Sequence, residues 1–279
     1  MNQKKKVSKR QIPLPQDAPK VLVSISLAHA SWRDFFSGIL RYVDEHANWD
    51  IRIAHEPGDL LAEQVDDAER EGFAVCYPQG EKDAKGKTGW NVGYDVQQGL
   101  ERDDVGFVKA LVKHLRKAHR IGKDNVFMSG MSNGGEMTYF MAYKYPDLFR
   151  AYATIAGLTM QWAYKEWKAK KPVPLMEVHG TADKTSMWEG DPTDTGGWGA
   201  YIAVPAAVGY WAAQARCTHE ETTTLPQKGE HPVVLHRYLG GDDGIEVRLY
   251  EVQGAKHSWH LADMDTCEEM WAFFSRYLK

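Results

Sequence analysis

Residues 130–134 read Gly-Met-Ser-Asn-Gly, the G-x-S-x-G pattern that sets a serine on a sharp turn. The pattern follows a short apolar stretch, VFMS (126–129), and opens a helical one, so its setting is strand, turn, helix. The flanking glycines let the backbone bend sharply and leave the Ser132 hydroxyl exposed. A hydroxyl is a poor nucleophile at neutral pH and needs a base to take its proton. Two later segments offer a base and a group to orient it. MEVHGTAD (176–183) reads as a strand ending in a turn that presents Asp183, and residues 248–252 form a strand leading to GAKHSW, which carries His257. The order Ser132, Asp183, His257, each just after a strand, puts all three on one edge of a parallel sheet. On this reading His257 takes the proton of Ser132, Ser132 attacks a carbonyl carbon, and Asp183 fixes the imidazole tautomer. The backbone N–H of Asn133 then faces the developing oxyanion.

The remaining chemistry-bearing residues are weighed against plainer readings. Trp90, in a glycine-rich loop, is a candidate cleft wall or equally a loop anchor packed on the core. Trp259, two residues after His257, is a candidate contact for an acyl group. Trp188 and Trp198 lie in the turn-rich stretch 184–199, readable as a lid or as a rigid surface loop. His257 and His260 have H-x-x-H spacing, but a tetrahedral metal site needs further ligands and none has supporting spacing, so no metal or cofactor is expected. Cys76 sits inside a predicted strand as a small core residue. Cys217 and Cys267 could pair in an oxidising compartment, a question that their positions leave open.

The elements that must carry these residues alternate. Strands are expected at 21–27, 49–54, 73–77, 126–129, 151–155, 175–178, 233–239 and 245–252. Helical periodicity marks 32–46, 60–71, 103–119, 136–145 and 204–215, and Asp265 can cap a last helix through Leu278. Residues 78–99 lack a clear period and read as a loop. Alternating strands and helices predict an α/β fold with a mostly parallel sheet and helices on both faces. The chain has 279 residues, 43% of them hydrophobic, enough for a packed core and incompatible with wholesale disorder. A net charge of −4 gives no electrostatic reason to bind nucleic acid. No apolar run approaches the roughly 20 residues of a membrane span.

At these motifs the sequence resembles the esterases grouped with polyhydroxybutyrate depolymerases, feruloyl esterases and acetylxylan esterases, carbohydrate esterase family one. The resemblance rests on DDVGF (103–107), GMSNGGEM around Ser132, HGTAD at Asp183 and HSW at His257, with GGWGAY (196–201) and GYWAAQARC (209–217) most like the xylan-debranching members. It runs from about residue 61 to the C-terminus. It implies an α/β-hydrolase fold, Ser132, Asp183 and His257 as the triad, no cofactor, and plant cell-wall esters as substrates. Polyhydroxyalkanoate depolymerases and serine peptidases share the same machinery.

The front of the chain differs. Residues 18–60, which begin APKVLVSISLAHASWRDFFSGILRYVDEHANWDI, resemble the start of a xylose-type sugar-binding transcription regulator. The chain is therefore expected to divide into a basic disordered tail (1–17), a regulator-like strand–helix–strand segment (18–60) and an esterase domain (61–279). A sugar-binding or regulatory module is the rival of another class; one strand–helix–strand unit cannot form a two-lobed sugar site, and no helix-turn-helix is visible. The second oxyanion donor is expected after the strand at 49–54, from residues 55–59 (HEPGD), where Pro57 has no N–H to give. A defective donor there would leave an impaired hydrolase. The basic start is not followed by the apolar stretch of about 7–15 residues that an export signal needs, so the chain as written is expected in the cytoplasm, whereas the resembled family is usually secreted.

Overall fold

The computed structural model describes residues 20–25, 73–82, 86–118 and 121–279. The expected elements at 32–46, 49–54 and 60–71 lie outside the described residues. The described strands are β1 (Lys20–Ile25), β2 (Phe73–Cys76), β3 (Glu81–Lys82), β4 (Thr88–Gly89), β5 (Val126–Met131), β6 (Tyr152–Ile155), β7 (Leu175–Gly180), β8 (His219–Thr224), β9 (Val233–Leu239) and β10 (Val247–Val252). The described helices are α1 (Asp104–Ala118), α2 (Asn133–Lys144), α3 (Gln161–Glu166), α4 (Val204–Gln214) and α5 (Thr266–Ser275).

Eight strands form one sheet in the order β2-β1-β5-β6-β7-β10-β9-β8. Every pair from β2 to β10 is parallel, and β9 and β8 add an antiparallel edge. Parallel strands covered on both faces read as nearly continuous apolar runs, which is how β5, β6 and β7 read. Successive residues then feed opposite cores. Val126 and Met128 join a cluster with Val108, Val112, Met137 and Trp211, on the side of α1, α2 and α4. Phe127 joins Met270, Phe273 and Phe274 of α5 on the other side. The Asp265 carboxylate accepts the Glu268 N–H and caps α5 as its position predicts.

One expectation about the sheet is corrected. The elbow strand β5 has β1 on one side and β6 on the other, so no place beside it is left for residues 49–54. β1 pairs in parallel with β5, Ile25 opposite Gly130, so the chain leaves β1 at the edge where β5 delivers Ser132. A boundary near residue 60 would also cut this sheet, because β1 lies between β2 and β5.

Candidate active site

Ser132 stands alone between the end of β5 and the start of α2, with φ 54° and ψ −125°. Few non-glycine residues adopt positive φ, and such strain persists only where the surroundings impose it. Here the Ser132 N–H donates to Ile155 O (2.9 Å) and the Glu136 N–H donates to Ser132 O (3.0 Å). Helix α2 also presses close against the chain after β6: a Cβ on Gly135 would lie 2.8 Å from Gly157 Cα. The first N–H groups of a helix have no partner within it, so that of Asn133 is free to face an anion.

The Asn133 side chain is buried and occupied elsewhere. Its Oδ1 accepts the Trp90 N–H (2.6 Å) and its Nδ2 donates to Trp90 O (3.0 Å). Trp90 itself is 1% exposed and packs near Phe107. Its ring is therefore an anchor of the 78–99 loop, and the cleft-wall reading is corrected: what reaches the elbow is its backbone. Gln97 fastens the same loop by accepting the Val92 N–H (2.9 Å) and donating to Trp90 O (2.7 Å).

β7 and β10 are neighbours and parallel, with Val252 opposite Gly180, so the segments bearing Asp183 and His257 leave the sheet side by side. His257 Nδ1 lies 2.6 Å from Asp183 Oδ2. A carboxylate only accepts, so Nδ1 carries the proton and in the neutral ring Nε2 is left with its lone pair free. The other carboxylate oxygen accepts the N–H groups of Thr185 (2.7 Å) and Ser186 (2.9 Å). Burial pushes the Asp183 carboxyl up, but the bonds from His257, Ser186 and Thr185 outweigh it and hold the group below the usual carboxylate range. Ser132 and His257 are each partly exposed and are not hydrogen-bonded to one another. Trp259 is half-buried and packs against the α5-side core.

The stretch 184–199 is a fastened loop. Asp191 accepts from Thr195 Oγ1 (3.0 Å) and Gly196 N–H (2.7 Å), and the Asp95 N–H donates to Trp198 O (3.2 Å), which ties this loop to 78–99. No disulfide joins Cys217 and Cys267. No group of His, Cys, Asp or Glu among the described residues could hold a metal ion, and no described helix is long and apolar enough to cross a membrane.

Sequence reasoning missed the polar groups beneath this site. Glu177 and His179 are both fully buried on β7, two residues apart and so on one face. Glu136 of α2 is buried too; its carboxylate takes the Leu158 N–H (2.8 Å) and the Tyr94 hydroxyl, and burial keeps its carboxyl well above the usual range. The available signal was two ionisable residues inside the otherwise apolar strand LMEVHG.

Comparison with known proteins finds esterases. Residues 62–187, which include Ser132 and Asp183, match the family model described as Esterase PHB depolymerase. The bifunctional acetylxylan esterase/xylanase of Neocallimastix patriciarum is 26% identical over 212 residues, 75% of this chain and 27% of that protein. Feruloyl esterase B of Piromyces equi is 23% identical over 192 residues, 67% of this chain and 34% of that protein. The chain thus spans about a third or less of the length of these relatives. Among solved structures, the acetyl xylan esterase from Aspergillus awamori superposes with a TM-score of 0.55 at 14% identity, over 94% of this chain and 92% of that one. The Bacillus cereus carboxylesterase gives 0.51 at 10% identity, over 94% and 91%. These likenesses, with the mostly parallel sheet and its helices, establish the α/β-hydrolase fold.

Proposed function

We propose that this chain is a serine carboxylic-ester hydrolase that removes small acyl groups, acetyl or feruloyl, from plant cell-wall xylan. The observation that carries the reading is the His257–Asp183 pair at 2.6 Å, on the sheet edge where β5 delivers a strained, partly exposed Ser132. His257 Nε2 takes the Ser132 proton as Oγ attacks the ester carbonyl, and Asp183 stabilises the imidazolium that forms. The Asn133 N–H at the head of α2 receives the oxyanion. The imidazolium then protonates the departing sugar oxygen, and water releases the acyl group through the same base. β1 is the parallel neighbour of the elbow strand, with Ile25 opposite Gly130. The substrate class is supported by the names of the relatives, acetylxylan esterase and feruloyl esterase among them.

The test is hydrolysis by the purified protein of p-nitrophenyl acetate, methyl ferulate, acetylated xylan, a polyhydroxyalkanoate film and a long-chain triglyceride. Release of acetate or ferulate well above the rest is expected. Preference for the triglyceride or the polyester overturns the substrate class. Inactivity on every ester overturns the reaction.

A further inference from the structure

Asp183 has a second imidazole beside it. His179 Nε2 lies 3.7 Å from the same Oδ2 that bonds His257. His179 is buried, and each of its ring nitrogens faces an acceptor. Nε2 donates to Ser186 O (2.7 Å), and Nδ1 lies 2.8 Å from Glu177 Oε1.

A carbonyl oxygen has no proton to give, so Nε2 is protonated. The state of Nδ1 turns on Glu177. Donors converge on that carboxylate: the Gly157 N–H at 3.3 Å on Oε1, and the hydroxyls of Tyr139 (3.0 Å) and Thr154 on Oε2. Burial pushes Glu177 up, yet a carboxylate so supplied remains the acceptor, and Nδ1 must donate to it. Both nitrogens of His179 then carry protons. Burial alone would strip that charge, but Glu177, Ser186 O and Asp183 overcome it and raise the group above the ordinary histidine range.

Of the other groups facing this cluster, Glu136 is within electrostatic reach of Glu177, and burial keeps its carboxyl well above the usual range, towards the neutral form. The ring of Trp188 lies at 6.1 Å from His179 and is uncharged. His260, from the segment after β10, is within electrostatic reach of both His179 and Asp183, and burial keeps it neutral near pH 7. Tyr201 also feels Asp183 and stays a neutral phenol.

We propose that Asp183 is shared by two imidazoles: His257, which it orients, and a protonated His179, which offsets part of its charge and so sets the pH at which the site becomes active. His179 is a positioning residue on this view. It acts only through Asp183, and Glu177 is the counter-ion that keeps it charged. Part of the carboxylate's attraction for a proton on His257 is spent on His179, so the active, neutral form of the base persists to lower pH. The polar chain Tyr139–Glu177–His179–Asp183 also joins the elbow helix to the triad acid. This inference rests on the esterase reading, and the tests separate the two.

Heteronuclear NMR of the histidine ring nitrogens in the wild-type protein reads the charge of His179 without any assay. Two protonated nitrogens at about pH 7, just above the ordinary histidine value of about 6.5, are expected. A neutral tautomer there overturns the proposal. His179→Gln keeps a donor for Ser186 O and removes the charge. Its acid limb of kcat/KM on p-nitrophenyl acetate is expected to move to higher pH by about one unit. A uniform loss of kcat with an unmoved limb means that His179 only holds the loop, and overturns the proposal. Should that variant not fold, Glu177→Gln removes the counter-ion and is expected to move the limb in the same direction. If Ser132→Ala retains turnover, the esterase reading fails, while the NMR result still decides the charge of His179.

Discussion

The amide of Asn133 and the backbone of Trp90 close a two-point pair, with Trp90 N–H to Oδ1 at 2.6 Å and Nδ2 to Trp90 O at 3.0 Å. The residue after the elbow serine is thereby pinned by a loop some forty positions earlier in the chain. Its side chain is held away from the site, and its backbone N–H stays at the mouth of α2. Asn133→Ala removes both bonds and leaves the Trp90 N–H buried without a partner. It should cost about 1–3 kcal/mol of stability and loosen the donor. A fall of about tenfold or more in kcat with a smaller change in KM is expected. Steady-state kinetics and urea unfolding check both halves.

Ser132→Ala should reduce turnover by several orders of magnitude while the unfolding midpoint changes little. A fluorophosphonate should label Ser132 in the wild-type protein and nothing in the variant; mass spectrometry of the labelled peptide reports the site. Asp183→Asn keeps the shape but cannot hold the Nδ1–H tautomer, and should cost roughly 10³–10⁴-fold in kcat. Because Asp183 is held below the usual carboxylate range, it stays ionised throughout the working range of the base. The acid limb of activity should then show a single ionisation, with no second one from Asp183.

The parts of this site that the sequence discloses are those whose signal is local. The strand VFMS, the turn at Ser132 and the order of Asp183 and His257 can be read within a few residues of each. Non-local pairings cannot. Nothing in the period of residues 20–25 says that they lie beside β5, so sequence reasoning sets residues 49–54 there instead. β8 escapes such reasoning because HEETTT is exposed along its whole length at the sheet edge and shows no alternation of polar and apolar residues. The six residues of α3 are too few to display a helical period. The 78–99 loop has no period because side chains, Gln97 and Asn133 above all, take up its backbone groups.

His260 makes stability depend on pH. It is 2% exposed, its Nε2 has no partner among the described residues, and burial lowers its pKa to about 4. In the unfolded chain a histidine binds its proton near about 6.5. Above that value the group is neutral in both states and costs nothing. As pH falls below it, the unfolded state gains a proton that the folded state refuses until about pH 4, so stability is lost across that window. Between about pH 7.5 and 5 the loss should be about 2 kcal/mol. His260 has φ 59°, which asparagine tolerates well. His260→Asn should therefore lose about 2 kcal/mol less than the wild type over the same interval in urea titrations. Equal losses in the two proteins would show that His260 is not the source.

Gly180 ends β7 where the chain turns towards Asp183, and it faces the segment that carries His257. A Cβ there would lie 2.4 Å from Ala255 O and 2.8 Å from Lys256 O. Both are backbone atoms and cannot swing aside, so the two segments must part. Overpacking of this kind costs about 1–3 kcal/mol. The displacement also falls between the acid and the base, where a shift of about 1 Å can cost on the order of 100-fold in rate. Gly180→Ala should thus lower both the unfolding midpoint and kcat. Gly209 supplies the contrast. It lies inside α4, and a Cβ there meets nothing within 4 Å. Alanine is the better helix former by about 1 kcal/mol, so Gly209→Ala should raise stability by up to that amount and leave kcat unchanged. If Gly180→Ala keeps full turnover, close contact between the Asp183 and His257 segments is not what holds the pair in place.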